Sequence, residues 1–184
     1  MREAYENLLK AFGWCAIILF AIRCAISLDS IMTDFSFYSL WGFAGEAIGV
    51  TIILIALYEK FLWKINPFES MPKLACRYKG IVKSTFDNIE RPARLIIKQT
   101  LTTVHITLIT KESKSQSLTT SIDEIFGEMQ LTYCYLNTPK NEVRSRSDIY
   151  YGSATLSLSN LKKIEGHYYT DRKTTGDMIF FPEK

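Results

Sequence analysis

The sequence predicts two membrane-length α-helices followed by an all-β domain, an eight-stranded antiparallel up-and-down barrel. Three observations predict it. Of 22 basic and 19 acidic residues, only five and six fall within the first 64 positions, which are otherwise strongly apolar. After Lys73 the helical period disappears, and short alternating runs rich in Thr, Ile, Tyr, Val and Phe take over. Those runs recur so closely that no room is left for a further helix. A net charge of +3 over 184 residues is too small for a polybasic nucleic-acid binder, so no DNA or RNA partner is expected. An apolar content of 47% with 13% aromatics excludes disorder as a description of the whole.

The first apolar segment, 8–28, reads LLKAFGWCAIILFAIRCAISL and is interrupted by Lys10 and Arg23. The second, 41–63, reads WGFAGEAIGVTIILIALYEKFLW, with Glu46 deep inside and Glu59-Lys60 near the end. Each has about the 20 residues that cross ~30 Å of hydrocarbon at ~1.5 Å per residue. Trp14, Trp41, Tyr58 and Trp63 sit towards the ends, where aromatic rings favour the headgroup level. The alternative is a buried helical hairpin, because the uncharged stretches between Lys10 and Arg23 and between Glu46 and Glu59 are twelve residues each. A cleaved signal peptide is not expected, since no small-residue cleavage pattern follows Leu28 and a second apolar segment comes next.

The connection 29–40 carries no basic residue, whereas Arg2, Lys10, Lys60, Lys64, Lys73, Arg77 and Lys79 flank the outer ends of the pair. The positive-inside rule then places both termini in the cytoplasm. Cys15, Cys24, Cys76 and Cys134 have no paired spacing and are expected as free thiols. Arg23 lies five residues before Leu28 and Glu46 five after Trp41, so an antiparallel pair brings both to a depth of about 7–8 Å. Charges at that depth need a partner. They either pin the hairpin as an ion pair, or pair between protomers and line a polar path. Gly45-x-x-x-Gly49 beside Glu46 supplies a small surface on which helices approach closely.

The predicted organisation is a transmembrane hairpin over 1–64, a linker over 65–73 marked by Asn66-Pro67 and Met71-Pro72, and a barrel over 74–184. Eight strands are expected, at 75–84, 91–100, 103–110, 115–123, 129–137, 150–159, 162–170 and 176–182. Alternation is clearest in Leu131-Thr-Tyr133-Cys-Tyr135 and in Ala154-Thr-Leu156-Ser-Leu158. Closing such a sheet into a barrel removes its edges and leaves an interior for side chains or one small ligand; a sandwich is the alternative. The one long polar connection, 138–149 (TPKNEVRSRSDI), carries Arg144 and Arg146.

Catalytic and metal motifs are missing. His105 and His167 both fall in predicted strands without a zinc-type ligand pattern, and there is no phosphate-binding Gly-rich loop, no G-x-S-x-G, no C-x-x-C and no H-E-x-x-H. Ser157 with His167 is the best nucleophile–base pair on offer, and an outward strand serine explains it equally well. No catalytic residue, metal or cofactor is therefore expected.

Two membrane helices, then a β-rich domain ending in Gly166-His-Tyr168-Tyr-Thr170-Asp-Arg172-Lys-Thr174-Thr-Gly176, resemble the membrane-anchored β-barrel effectors of bacterial CBASS anti-phage defence, the SMODS-associated, two-transmembrane, β-strand-rich proteins. The resemblance covers the whole chain as architecture and rests chiefly on that hairpin and on 131–135. It implies a lipocalin-like barrel that binds a cyclic dinucleotide made by a cognate nucleotidyltransferase. It further implies homo-oligomerisation and disruption of the inner membrane, with barrel and termini cytoplasmic, so that the infected cell dies.

A ligand with two phosphates and two flat bases needs cationic or N–H donors together with aromatic faces. Tyr133, Tyr135 and Tyr168 share an alternation with Leu131, Ile164 and Gly166, hence an inner face; they are either core tyrosines or stacking surfaces. Thr170, Arg172 and Thr174 surround the last turn, where a guanidinium fork and hydroxyls suit a phosphate. Arg146 on the long loop is placed to close over the ligand. Two other classes compete: a constitutive membrane-tethered lipocalin-like carrier of a lipid or small apolar ligand, and a membrane-bound hydrolase.

Overall fold

The computed structural model describes residues 2–27 and 36–183. Helix α1 spans Arg2–Ile26 and α2 spans Phe37–Lys60. Both begin ahead of the predicted apolar segments. In α1 the added turns are largely polar, through which a nucleated helix propagates without registering in the hydropathy pattern, whereas in α2 the added residues 37–40 simply lengthen the apolar span. Helix α2 stops at Lys60: Phe61 leaves helical geometry while its N–H still donates to Leu57 O, and one 3-10 turn, Leu62–Lys64, follows. Pro67 then forbids continuation. Most of the connection read at 29–40 lies outside the described residues.

The helices form a pair. Arg23, near the end of α1, meets Glu46, near the start of α2, at 2.8 Å, and its guanidinium lies 4.5 Å from the Phe43 ring centroid while also bonding Ser27 Oγ. Within α2 the buried side chains are Ala47 and Thr51, one turn apart, and the Thr51 hydroxyl donates to Ala47 O at 2.8 Å. Trp14, Ile17, Ile18, Ile53 and Leu57 are among the many large apolar side chains left exposed. Both helices are long and apolar enough to cross a membrane, and that outward apolar surface is what hydrocarbon accommodates.

The chain divides into two compact units, one holding residues 2–71 with 100–102, the other 72–99 with 103 onwards. The second is the barrel. Its strands are β1 Arg77–Ser84, β2 Glu90–Gln99, β3 Val104–Thr110, β4 Ser113–Ile125, β5 Glu128–Pro139, β6 Tyr150–Ser157, β7 Ile164–Thr170 and β8 Thr175–Pro182. They pair in sequence order and close by β1 with β8, from Tyr78↔Pro182 to Ser84↔Gly176, every pair antiparallel. The eight predicted strands are all present, with ends moved by up to two residues. The β4–β5 hairpin turns on Phe126 and Gly127, both at positive φ (53° and 80°), the geometry that matches strand twist in a two-residue turn. A bulge between Ser117 and Thr119 re-aims the first half of β4.

At one end of the barrel the inward positions are filled by Tyr78, Leu95, Ile97, Ile106, Ile122, Leu131, Leu156, Ile164 and Phe180, all essentially without solvent exposure. The incoming segment closes this end. Leu74 N–H donates to Gln99 Oε1, Gln99 Nε2 donates to Pro72 O, and Ala75 N–H donates to the Tyr78 hydroxyl. All four cysteines are free.

Candidate functional site

At the opposite end the same inward alternation carries different chemistry. Strand β5 contributes Tyr133, Tyr135 and Asn137, β6 contributes Tyr150, β7 contributes Tyr168 and β2 contributes Arg91, around a cavity of about 510 Å³. That volume lies within the range of small-molecule sites. Two glycines make room for the aromatic wall. Gly152 faces Tyr135 across β5–β6 and Gly176 faces Tyr168 across β7–β8. A Cβ at Gly152 would lie 2.4 Å from the Tyr135 ring, and one at Gly176 would lie 2.5 Å from the Tyr168 ring. Each tyrosine therefore lies against a bare stretch of backbone instead of standing clear of it.

The Tyr133 and Tyr135 rings are 5.8 Å apart and tilted by 46°. Burial raises the phenol pKa of Tyr133, Tyr135 and Tyr150, so all three remain protonated donors at neutral pH. Two buried polar atoms here have no partner: the Tyr133 hydroxyl and Asn137 Nδ2. Leaving such groups unsatisfied costs about 1–3 kcal/mol each, and a bound polar ligand would remove that cost.

Three arginines line the mouth. Arg91 forks onto Asp87 with both guanidinium nitrogens, which together with the Ile89 N–H lowers the Asp87 pKa to about 2. Arg146 pairs with Glu112 at 2.6 Å. Arg172 lies 4.5 Å from the Tyr150 ring centroid and donates to Ser147 Oγ at 3.2 Å and to Asp148 O. The long connection between β5 and β6 is thus tied to the β3–β4 turn through Arg146 and to the β7–β8 turn through Arg172. Guanidinium groups at a mouth above aromatic walls, with Arg172 itself over Tyr150, suit a ligand that is both anionic and flat.

Of the residues singled out from the sequence, Tyr133, Tyr135, Arg146, Tyr168, Arg172 and Thr174 come together around this cavity. Thr170 is not among the lining residues; its hydroxyl shares a 2.6 Å hydrogen bond with that of Thr174 and receives the Thr174 N–H. Tyr150, Arg91 and Asn137 were missed. Their signal was parity: Arg91 alternates with Ala93 and Leu95, Tyr150 with Ala154 and Leu156, and Asn137 with Tyr133 and Tyr135. Ser157 and His167 do not form a catalytic pair, since the serine hydroxyl donates to Ser159 Oγ and the imidazole stands edge-on to Tyr169. Among the described residues no three His, Cys, Asp or Glu side chains cluster as a metal site.

In the helical unit, Arg23 and Glu46 meet within one chain. Gly45 and Gly49 do not serve that contact: a Cβ at either would meet nothing within 4 Å.

Relatives were found by comparison with known proteins. A CD-NTase-associated protein 15 of Staphylococcus schleiferi is 27% identical over 187 aligned positions, covering 97% of this chain and 97% of the relative. A CD-NTase-associated protein 15 of Yersinia aleksiciae is 35% identical over 143 positions, covering 72% of this chain and 67% of the relative. The family profile of the Cap15 cyclic dinucleotide receptor domain matches residues 69–181, which span the whole barrel and the cavity just described. This chain belongs to the Cap15 cyclic dinucleotide receptor family.

Proposed function

We propose that this protein is a CBASS effector, not an enzyme, in which the cavity of the 74–184 domain binds a cyclic dinucleotide and ligand binding gathers protomers through the membrane hairpin of 1–64. The single observation that carries the reading is the cavity itself, with tyrosines on its walls and Arg91, Arg146 and Arg172 at its mouth. Bases stack on the phenol rings, and Tyr133, Tyr135 and Tyr168 supply those faces. The phosphates sit at the mouth, where Arg172 with Thr174 is the first site to engage. Arg146 exchanges Glu112 for phosphate and draws the long connection over the ligand. Thr170 holds the Thr174 hydroxyl in place.

The hairpin lies in the bacterial inner membrane with both termini and the barrel cytoplasmic, as the basic flanks favour, and 65–73 is the linker. A ligand that binds the assembled state better than the monomer shifts the equilibrium towards assembly. Tethered helices then meet at high effective concentration. The open face of Gly45 and Gly49 receives a neighbouring helix, and the Arg23–Glu46 pair re-forms between protomers or admits water, so that the bilayer leaks. The carrier reading requires an apolar rim, and the three arginines count against it.

The test uses the full chain in detergent and in dye-loaded vesicles. Saturating cyclic dinucleotide is expected to raise the particle mass in light scattering and to release the dye. Binding with unchanged mass would overturn the assembly step; no binding of any cyclic dinucleotide would overturn the reading as a whole.

A further inference from the structure

Asn137 is 2% exposed, and its amide is divided between two duties. Its Oδ1 accepts the hydroxyl hydrogen of Ser115 at 2.8 Å, from the residue directly opposite on β4, while Nδ2 has no partner. Both residues line the cavity. An asparagine reads adenine with both arms, Oδ1 taking the exocyclic amino hydrogen and Nδ2 giving one to a ring nitrogen. Here the accepting arm is engaged, and what remains towards the cavity is an N–H donor. Adenine can meet that donor through a ring nitrogen, but its neighbouring amino group then faces an oxygen that Ser115 already engages. A ring carbonyl, as on guanine or uracil, would complete the free N–H.

The surroundings place a base edge at this atom. Tyr150 is the register partner of Asn137 across β5–β6, and Tyr135 is its same-face neighbour along β5, so aromatic faces lie beside the amide. The Tyr133 hydroxyl, further in and likewise unpartnered, is free to meet a second polar atom of the same ring. Resting on the cyclic-dinucleotide reading above, we propose that Asn137, oriented by Ser115, is a specificity-determining residue that reads a base carbonyl, so that the ligand carries at least one guanine or uracil. A cavity built to hydrogen-bond a group discriminates strongly against the analogue lacking it.

Calorimetric titration of the full chain in detergent with cyclic di-AMP, cyclic di-GMP, cyclic GMP–AMP and cyclic UMP–AMP tests this. The carbonyl-bearing ligands are expected to bind about tenfold more tightly than cyclic di-AMP. Asn137→Leu should lower their affinity by about tenfold while leaving cyclic di-AMP within about twofold, closing the gap. Ser115→Ala releases Oδ1, lets the amide turn, and should narrow the gap by a gain for cyclic di-AMP. Wild-type protein that binds cyclic di-AMP as tightly as the others overturns the proposal. So does an equal loss for every ligand in Asn137→Leu, or an unchanged gap in Ser115→Ala. Failure of all four ligands on wild-type protein instead overturns the cyclic-dinucleotide reading.

Discussion

The closed and open ends of the barrel are built from the same eight strands with the same alternation, and they differ in what the inward positions carry. At the closed end these are Leu95, Ile97, Ile106, Leu131, Leu156, Ile164 and Phe180, buried against one another. At the open end they are Tyr133, Tyr135, Asn137, Tyr150, Tyr168 and Arg91, with Gly152 and Gly176 holding the walls back. Aliphatic side chains interdigitate to fill a barrel interior. Rings that reach over bare glycine backbone leave a cleft, with the Tyr133 hydroxyl and Asn137 Nδ2 unpartnered. On the proposed reading one end supplies stability and the other supplies recognition, so substitutions at the two ends should have separable effects.

The largest effect is expected at the closed end. Phe180→Ala should cost about 3–5 kcal/mol of stability in denaturant titration, with cyclic dinucleotide affinity unchanged for the fraction that folds. A comparable loss of affinity at equal folded fraction would break the comparison. Next is Gly152→Val, which drives a Cβ to within 2.4 Å of the Tyr135 ring and 2.6 Å of the Tyr169 carbonyl oxygen. Backbone gives way poorly, so about 1–3 kcal/mol of stability should go, and calorimetry should find ligand binding lost with it.

Arg172→Ala sharpens the contrast from the other side. Removing a charged donor to phosphate should weaken binding by about 1.5–3 kcal/mol, while thermal unfolding moves little, because Arg172 is exposed. Arg146 is also exposed and paired with Glu112. Arg146→Ala should therefore cost about 1 kcal/mol of binding or less, and flatten its salt dependence. The smallest effect concerns Asp87, whose carboxyl is held at about 2 by Arg91. A depressed native pKa contributes stability that is present above the unfolded value near 4 and is lost as pH falls towards 2. The stability difference between wild type and Asp87→Asn should be constant from neutral pH to about 5 and fade as pH falls through about 2, as read by pH-dependent thermal melts.

Much of the barrel is legible in the sequence. A period of two is visible whenever large apolar and small polar residues alternate, as in 131–135 and 154–158, and turn residues fall where the strands end. Helix boundaries were less legible, since the first turns of α1, from Arg2, are largely charged and polar and add nothing to an apolar run. The rim was half legible. Arg172 and Thr174 stood out beside Gly176 in a short turn, whereas Asp87, Arg91 and Glu112 looked like ordinary surface charges. Their partnerships join residues from separate turns or, for Arg91, a strand position whose parity was noticed only for its apolar neighbours.

Composition and periodicity alone determined that this chain would form two apolar helices followed by eight short strands, because burial and backbone pairing depend on local pattern. Tertiary structure alone decided that Arg23 meets Glu46 within the chain while Gly45 and Gly49 stay open. It alone decided that Tyr135 rests on Gly152, and that the Asn137 amide is left with one free arm. The reason is physical. Which hydrogen bonds remain unmade depends on every neighbour in three dimensions, and cross-strand neighbours are set by register and closure, which no single stretch of sequence contains.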